Sequence, residues 1–413
     1  MDEARLPGAP TDDDERIVAH VDMDCFYAAC ERLREPALEG EPLVVGMGFE
    51  PGETTGAVAT ASYEAREYGV ESAMAISEAL DLLPRKVDAV EDPDTSVEEA
   101  GFYRPVDMEY YEAIGEAVRE LLRERAEVLR VVSIDEAYLD VTDRLDWGAV
   151  EEWARDLKDT IEREVGVVAS VGVAPTMSAA KVASDRDKPD GLVVVEPGDV
   201  RDFFAPLPVE EVHGVGPKTA AELASMGIET AGDLAAADRD VLAERFGERG
   251  VEIRRYARGE DDREVTPRGR AKSLSRESAF DEATADFETV RERVRALAGA
   301  VADRARSKDA LYQTIGVKVV TPPFEVNTRA HSLPGPVDDP DLVESVALDL
   351  LDEFEGVHVR KVGVRVSKLS FEAGEQASLD GWSGDGTAPE GDSETRPVDS
   401  GGPSGQASLS DFE

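Results

Sequence analysis

Two clusters of carboxylates interrupt apolar, β-branched stretches of the chain: Val21-Asp22-Met23-Asp24 and Ser133-Ile134-Asp135-Glu136-Ala137. Acids in such stretches are costly unless they are paired or metal-bound. Magnesium wants hard oxygen ligands, and carboxylates at the ends of adjacent strands supply them. Divalent ions held there would neutralise charge developing on phosphate oxygens and bring a hydroxyl in line for transfer from a nucleoside triphosphate. In a chain with 90 acids, an isolated Asp is more simply a solvated surface group. The residues alone therefore leave two readings open, a two-metal site and two surface clusters.

Other residue types could support phosphate chemistry. Tyr63 and Arg66 lie three apart at a strand-to-helix passage, and Lys188 sits in DKPDG. An Arg fork suits triphosphate oxygens, although an ion pair at the surface is the common fate of such residues. The segment VHGVGPKTAAEL (212–223) contains Gly214, Gly216 and Lys218 but is no Walker A loop, which needs four residues between Gly and Gly-Lys and no Pro217. A Gly-x-Gly leading into a helix fits a helix–hairpin–helix, whose backbone N–H groups bind a DNA phosphate without reading sequence; the alternative is an ordinary helix-connecting turn. Phe26-Tyr27 reads first as a pair of core aromatics opening a helix. The two cysteines, Cys25 and Cys30, are too few for a zinc set and read as small buried hydrophobes.

These residues need positioning elements. Residues 17–24 (IVAHVDMD) alternate as a strand, and 25–33 follow as a helix. Strands are expected at 42–48 and 56–63, a helix near 64–68, an acidic loop at 91–100, and a long helix over 107–126. Residues 128–142 read as two strands around a short turn. Helix 148–164, strand 167–175, helix 178–185 and strand 191–197 complete an α+β order. Beyond Pro197, short helices with Gly turns run to 260, and 261–272 is a charged loop. A second α/β set follows from 273: a strand, a helix at 286–307, a strand at 311–320, an irregular stretch at 321–340, a helix at 341–355 and a strand at 358–369. Residues 1–15 read as a disordered acidic leader without a secretory signal. From 371 onward Gly, Ser, Pro and acids dominate, which predicts a disordered tail.

The net charge of −45 is unusual for a protein that would hold another anion. The bases are 35 Arg against only 10 Lys, a pattern like that of proteins from salt-loving organisms. At about 1 M salt the Debye length is roughly 3 Å, so distant repulsion is screened and local contacts decide. Locally the charge reverses: residues 253–276 carry eight Arg/Lys against four acids, and 357–370 carry four and no acid. Residues 268–276 and 358–368 alternate basic with apolar or small residues, which on a strand would place the bases on one face. No run approaches the roughly 18 apolar residues of a membrane span.

VDMDCFYAAC, ATASYEAREYGV and SIDEAYLDV, in that order, resemble the Y-family translesion DNA polymerases, in the DNA polymerase IV (DinB) branch and of the halophilic archaeal kind. The resemblance continues through VGVAPTMSAAKVASDRDKPDGL, VHGVGPKTAAEL and HVRKVGVRVSKL, over roughly residues 16–370. It implies a right-hand polymerase: palm at 16–25 and 92–197 with a ferredoxin-like sheet, small fingers at 26–91, a helical thumb at 198–262, a linker at 263–272 and an α/β little finger at 273–370. It implies further that Asp22, Asp135, Glu136 and the Met23 backbone carbonyl hold two Mg²⁺ ions, with Glu136 nearest the primer 3′-hydroxyl. Asp24 is not generally a ligand in the family. Tyr27 would be a steric gate against the ribose 2′-hydroxyl, and Tyr63, Arg66 and Lys188 would contact the triphosphate. DNA contacts would come from Gly214, Gly216, Lys218, Lys272, Arg276, Arg360, Lys361, Arg365 and Lys368.

The last residues, with Gln406, Leu409 and Phe412, resemble a clamp-binding box, although its usual second aromatic is Glu413 here. A related stretch begins at Gln376 and ends at Trp382. The expected partners are primer–template DNA, deoxynucleoside triphosphates and the sliding clamp, with a monomeric, cytoplasmic enzyme that has no membrane contact. Two rivals predict otherwise. A nucleotidyl cyclase would lack the DNA-binding segments after 200, and a clamp-bound scaffold with a dead palm would have lost its carboxylates.

Overall fold

The computed structural model describes residues 16–91, 94 and 96–371. The leader at 1–15 and both Gln-containing motifs of the tail, including Gln406, Leu409 and Phe412, lie outside the described residues. The chain divides into two compact units, one up to Arg268 and one from Gly269.

The first unit is built on a five-stranded sheet. Strand β1 (Val18–Met23) is at its centre, buried at every residue. Such a strand is covered on both faces, which is why the apolar residues 17–19 and 21 need no strict alternation. The small sheet beside it holds β2 (Leu43–Met47) and β3 (Ala57–Ala61), antiparallel to each other. Around it lie α1 (Phe26–Arg34), α2 (Tyr63–Arg66), α3 (Ile76–Leu82) and α4 (Lys86–Glu91). Its third strand, β4 (Phe102–Pro105), runs parallel to β2. The boundary expected at residue 92 is therefore corrected: the chain completes the small sheet before it returns to the large one. A parallel neighbour is far along the chain from its partner, so local sequence carries no signal for it.

Helix α5 (Met108–Arg125) starts at Asp107, whose carboxylate accepts the Tyr110 N–H, and buries Tyr111, Gly115, Val118 and Leu122 at helical spacing. Strands β5 (Val128–Val131) and β6 (Glu136–Asp140) form the expected hairpin. Helix α6 (Val150–Val165) ends on Gly166 at φ 85°, a left-handed cap that glycine adopts without strain. Strand β7 (Ala169–Ala174), helix α7 (Met177–Arg186) and β8 (Leu192–Val194) finish the sheet in the order β5-β6-β1-β7-β8. Thr176 caps α7 by accepting the Ala179 N–H. Five short helices follow: α8 (Val200–Phe204), α9 (Pro217–Ser225), α10 (Ala231–Ala236), α11 (Arg239–Phe246) and α12 (Glu248–Ala257). Their apolar residues, with Phe204, Leu223, Leu234, Leu242 and Ile253 innermost, share one core with α7.

The second unit is a four-stranded antiparallel sheet: β9 (Ser273–Thr284), β10 (Tyr312–Thr321), β11 (Glu325–Val337) and β12 (Val359–Ser367), in the order β11-β10-β12-β9. Helices α13 (Phe287–Ser307) and α14 (Pro340–Leu351) share its core. The irregular stretch expected at 321–340 is mostly strand β11. Its Pro334 and Pro336 argue against a central strand, but β11 lies at the sheet edge, where a missing N–H costs no ladder bond.

Candidate active site

The antiparallel register of β1 with β6 puts Asp22 opposite Glu136. Asp135 lies in the preceding turn, and its carbonyl accepts the Met23 N–H at 2.9 Å. The turn is tied by Ser133, whose hydroxyl is 2.5 Å from Asp135 Oδ1 and also accepts the Glu136 N–H. Gly115 of α5 allows this approach, because a Cβ there would stand 2.8 Å from the Ile134 carbonyl oxygen.

Two ammonium groups close on the acids. Lys181 Nζ is 2.8 Å from Asp22 Oδ2 and 3.2 Å from Glu136 Oε2. Lys188 Nζ is 2.6 Å from Asp22 Oδ1 and 3.3 Å from Asp185. His20 Nε2 is 3.3 Å from Glu136 Oε2. Burial resists ionisation of Asp22, but Lys181 and Lys188 outweigh it and hold the carboxyl well below the usual range. Burial likewise opposes ionisation of Glu136, yet His20 and Lys181 lower it to about 2. Asp135 goes the other way, to about 6, through burial and the neighbouring Asp22 and Glu136 charges. Burial drives His20 below its ordinary value against the pull of Glu136.

Asp24 lies outside this group. Its Oδ1 accepts from Tyr63 (3.2 Å) and Ser170 (3.0 Å), and its Oδ2 from Ser170 (2.9 Å) and the Asp190 N–H (2.8 Å). Both oxygens are thus engaged in tying α2 to β7 and the loop after Lys188. Tyr63 is held by this contact. Arg66 is exposed, donates Nε to the Ala61 carbonyl at 3.1 Å and has its guanidinium 4.9 Å from the Tyr63 ring centre. Tyr27, in the first turn of α1, is buried and stacks on Tyr111 at 4.7 Å. The Tyr111 hydroxyl donates to Glu31 at 2.7 Å.

The remaining candidates stand elsewhere. Gly214 has φ 85°, and a Cβ there would run into the Arg249 guanidinium at 1.7 Å. Gly216 is the N-cap of α9, and Lys218 is exposed in its first turn. In the second unit, Lys361 and Arg365 pair in register with Ala279 and Ser275 of β9, while Arg276 pairs with the buried Val364. Arg276 therefore lies on the opposite sheet face from Lys361 and Arg365. Within β12 itself Arg360 and Lys361 are neighbours and so point to opposite faces, and Lys368 lies beyond the strand, so the basic residues of 358–368 do not share one face. Lys361 (2.5 Å) and Lys318 (3.0 Å) both pair with Glu277, Arg360 lies 4.9 Å from the Phe324 ring centre, Arg365 donates to Ser273, and Lys272 is exposed just before β9. Lys368 follows β12 at φ 53°.

Two residues at the carboxylates were missed. His20 is two positions before Asp22 on the same strand, hence on the same face. Lys181 was visible only as one of few lysines. Period-two spacing could have found His20, but nothing local aims α7 at β1.

Three family models match: the impB/mucB/samB family over residues 21–185, the IMS family HHH motif over 197–228, and the impB/mucB/samB family C-terminal domain over 271–379. The chain is similar to DNA polymerase IV of Halobacterium salinarum, with 64% identity over 94% of this chain and 93% of that protein. It is also similar to DNA polymerase IV of Methanoculleus marisnigri, with 42% identity over 88% of this chain and 98% of that one. Among solved structures, a Y-family DNA polymerase chimera, Dbh-Dpo4(243-245)-Dbh, matches with TM-score 0.75 and 29% identity, covering 86% of this chain and all of that one (100%). An insertion ternary complex of Dbh DNA polymerase matches with TM-score 0.61 and 27% identity over 86% of this chain and 100% of that one.

Proposed function

The chain belongs to the Y-family DNA polymerases, in the DNA polymerase IV branch, and from that premise we propose that it adds deoxynucleotides to a primer 3′-end by two-metal phosphoryl transfer and extends primers past template damage. The observation that carries this reading is the register that gathers Asp22, Asp135 and Glu136 beside Lys181 and Lys188. A magnesium pair fits this donor set. Its ligands are hard oxygens, and Asp135 is crowded by like charges with no ion pair among the described residues. Asp22, Asp135, Glu136 and the Met23 carbonyl would hold the ions, which when bound supply charge neutralisation at the reacting phosphate. Lys188, and Tyr63 with Arg66, would bind and orient the triphosphate. Tyr27, backed by Tyr111, would exclude a ribose 2′-hydroxyl.

The helix–hairpin–helix around Gly214, Gly216 and Lys218 would hold DNA phosphates through backbone N–H groups. Lys272, Arg276, Arg360, Lys361, Arg365 and Lys368 would contribute further backbone contacts with little sequence preference. The division into palm, fingers, thumb and little finger is part of the same proposal, with the fingers extended to Pro105. No helix among the described residues is long and apolar enough to cross a membrane. We read the enzyme as a cytoplasmic monomer that reaches the sliding clamp through Gln406, Leu409 and Phe412. Deleting residues 406–413 then abolishes clamp capture, and undiminished capture rejects that contact.

Primer extension at high salt with Mg²⁺ tests the activity. Wild type extends a templated primer, and Asp135→Ala/Glu136→Ala loses roughly a thousandfold or more, as expected for several kcal/mol of lost charge stabilisation. Extension that needs no template, or a wild type that does not extend, rejects the polymerase reading.

A further inference from the structure

Helices α13 and α14 share a core with Ile315, Val317 and Val319 of β10 and with Val362, Val364 and Val366 of β12. The alternate residues of these strands therefore point away from the helices. On that outer face the register sets Lys318 across from Gly363, and Gly363 across from Glu277 of β9. Lys361 and Arg365 flank Gly363 two residues to either side and share the face. The other paired positions on it are uncharged. The Glu277 side chain lies across β12. Gly363 leaves the room, because a Cβ there would stand 2.7 Å from Glu277 Cγ. The carboxylate thereby reaches Lys318 Nζ on the far side, at 3.0 and 3.2 Å, and Lys361 Nζ at 2.5 Å. Burial opposes ionisation of Glu277, but Lys361 and Lys318 outweigh it and hold the carboxyl below its ordinary range.

We propose that Glu277 is a built-in competitor of the DNA phosphate: it holds Lys318 and Lys361 as a stand-in anion, and a phosphate of the primer–template backbone has to share those ammonium groups with it. This rests on the reading of the outer face as a DNA contact. The carboxylate is not needed to bring the two lysines together, since register alone puts them on one face. Its effect is on charge: the two lysines would offer two positive charges to DNA, and with Glu277 the cluster offers one. An ammonium group has three donors, so each lysine can hold Glu277 and a phosphate at once, but the carboxylate then stays in contact range of the arriving anion. At about 1 M salt the Debye length is about 3 Å, so distant acids of the chain are screened from bound DNA while Glu277 is not. The result is a weaker grip that also loses less as salt rises, because fewer counterions are released on binding. Two other roles make different predictions. An ion pair that only steadies the sheet leaves DNA binding unchanged when the acid is removed, and an acid that pre-orients the lysines for phosphate weakens binding when it is removed.

Binding of the full chain to a fluorescent primer–template, without nucleotide, separates these roles when followed by anisotropy over a series of KCl concentrations in which the protein is folded. Thermal unfolding midpoints are measured alongside. Glu277→Gln keeps the size of the side chain and one acceptor oxygen but removes the charge. It is expected to bind DNA roughly threefold or more tighter at the lowest salt, with the plot of log K against log [KCl] steeper by about one unit, so that the gain shrinks as salt rises. Lys318→Gln/Lys361→Gln is expected to bind more weakly, with a shallower slope. A Glu277→Gln with wild-type affinity and slope, or with weaker binding, overturns the proposal whether or not its unfolding midpoint falls. A lysine double variant that binds like wild type overturns it as well, because no phosphate then meets these ammonium groups. In both cases a wild type that extends templated primers leaves the polymerase reading standing. A wild type that neither binds nor extends the primer–template rejects that reading and this proposal with it.

Discussion

Three carboxylates that share one site have unlike proton affinities, and each difference has a local cause. Asp22 and Glu136 are compensated by Lys181, with Lys188 added for Asp22 and His20 for Glu136. Asp135 has the Ser133 hydroxyl and its own backbone N–H, but no cation, to set against burial and two like charges, and it rises to about 6. An unfolded Asp ionises near about 4, so in the metal-free fold Asp135 keeps its proton after the unfolded chain has lost it. The stability of the metal-free fold therefore declines as pH rises from that value to about 6. A metal that binds only the ionised form gains over the same window. Mg²⁺ affinity, followed by calorimetry, should weaken as pH falls through about 6, and a flat profile from pH 7 to 5 would reject Asp135 as a ligand. Asp24 stands apart from these three because its oxygens are already taken by Tyr63, Ser170 and the Asp190 N–H. Tyr27→Ala should raise ribonucleotide incorporation relative to deoxynucleotide; unchanged discrimination in single-nucleotide insertion assays removes it as the gate.

At the scale of elements, the close seating of α7 on β7 brings Lys181 and Ser184 to the acids. Gly172 sets that distance, since a Cβ there would lie 2.2 Å from the Ala180 carbonyl oxygen and from the Ser184 nitrogen. Both are backbone atoms in a packed helix, so the helix itself must shift. Gly172→Ala should destabilise by about 1–3 kcal/mol or more and lower the thermal unfolding midpoint. It should also reduce kcat, because the helix it displaces carries Lys181. An unfolding midpoint equal to wild type would show that α7 yields without cost. The edge strand β11 illustrates the same dependence on context. Pro334 and Pro336 would break a central strand, yet at an edge they leave the ladder to β10 intact in part, with a register shift between Tyr312 and Thr314.

For the whole molecule, 45 bases against 90 acids leave a net charge of −45, which must be screened before either the fold or a DNA complex is comfortable. Locally the balance reverses, with eight bases against four acids in residues 253–276 and four against none in 357–370. Thermal unfolding midpoints should rise steadily from low salt to molar KCl, and primer extension should persist at concentrations that dissociate an ordinary polymerase from DNA. Maximal stability and activity in low salt would contradict a halophilic design.

By itself the sequence determined the order of most strands and helices, since apolar periodicity and caps are local. It also marked the acids of the site, because Asp22, Asp135 and Glu136 stand out against β-branched neighbours. It could not choose between a metal site and solvated surface acids without the family resemblance. Tertiary structure decided what lies across the chain from them: the register that sets Asp22 against Glu136, the approach of Lys181 from α7, the pairing of β4 with β2, and the face on which Arg276 falls. The physical reason is range. Spacing of 2 or 3.6 residues fixes which way a side chain points on its own element. Strand register and helix seating depend on partners more than 100 residues away, such as Asp22 and Glu136, where only packing and hydrogen bonding choose the neighbour.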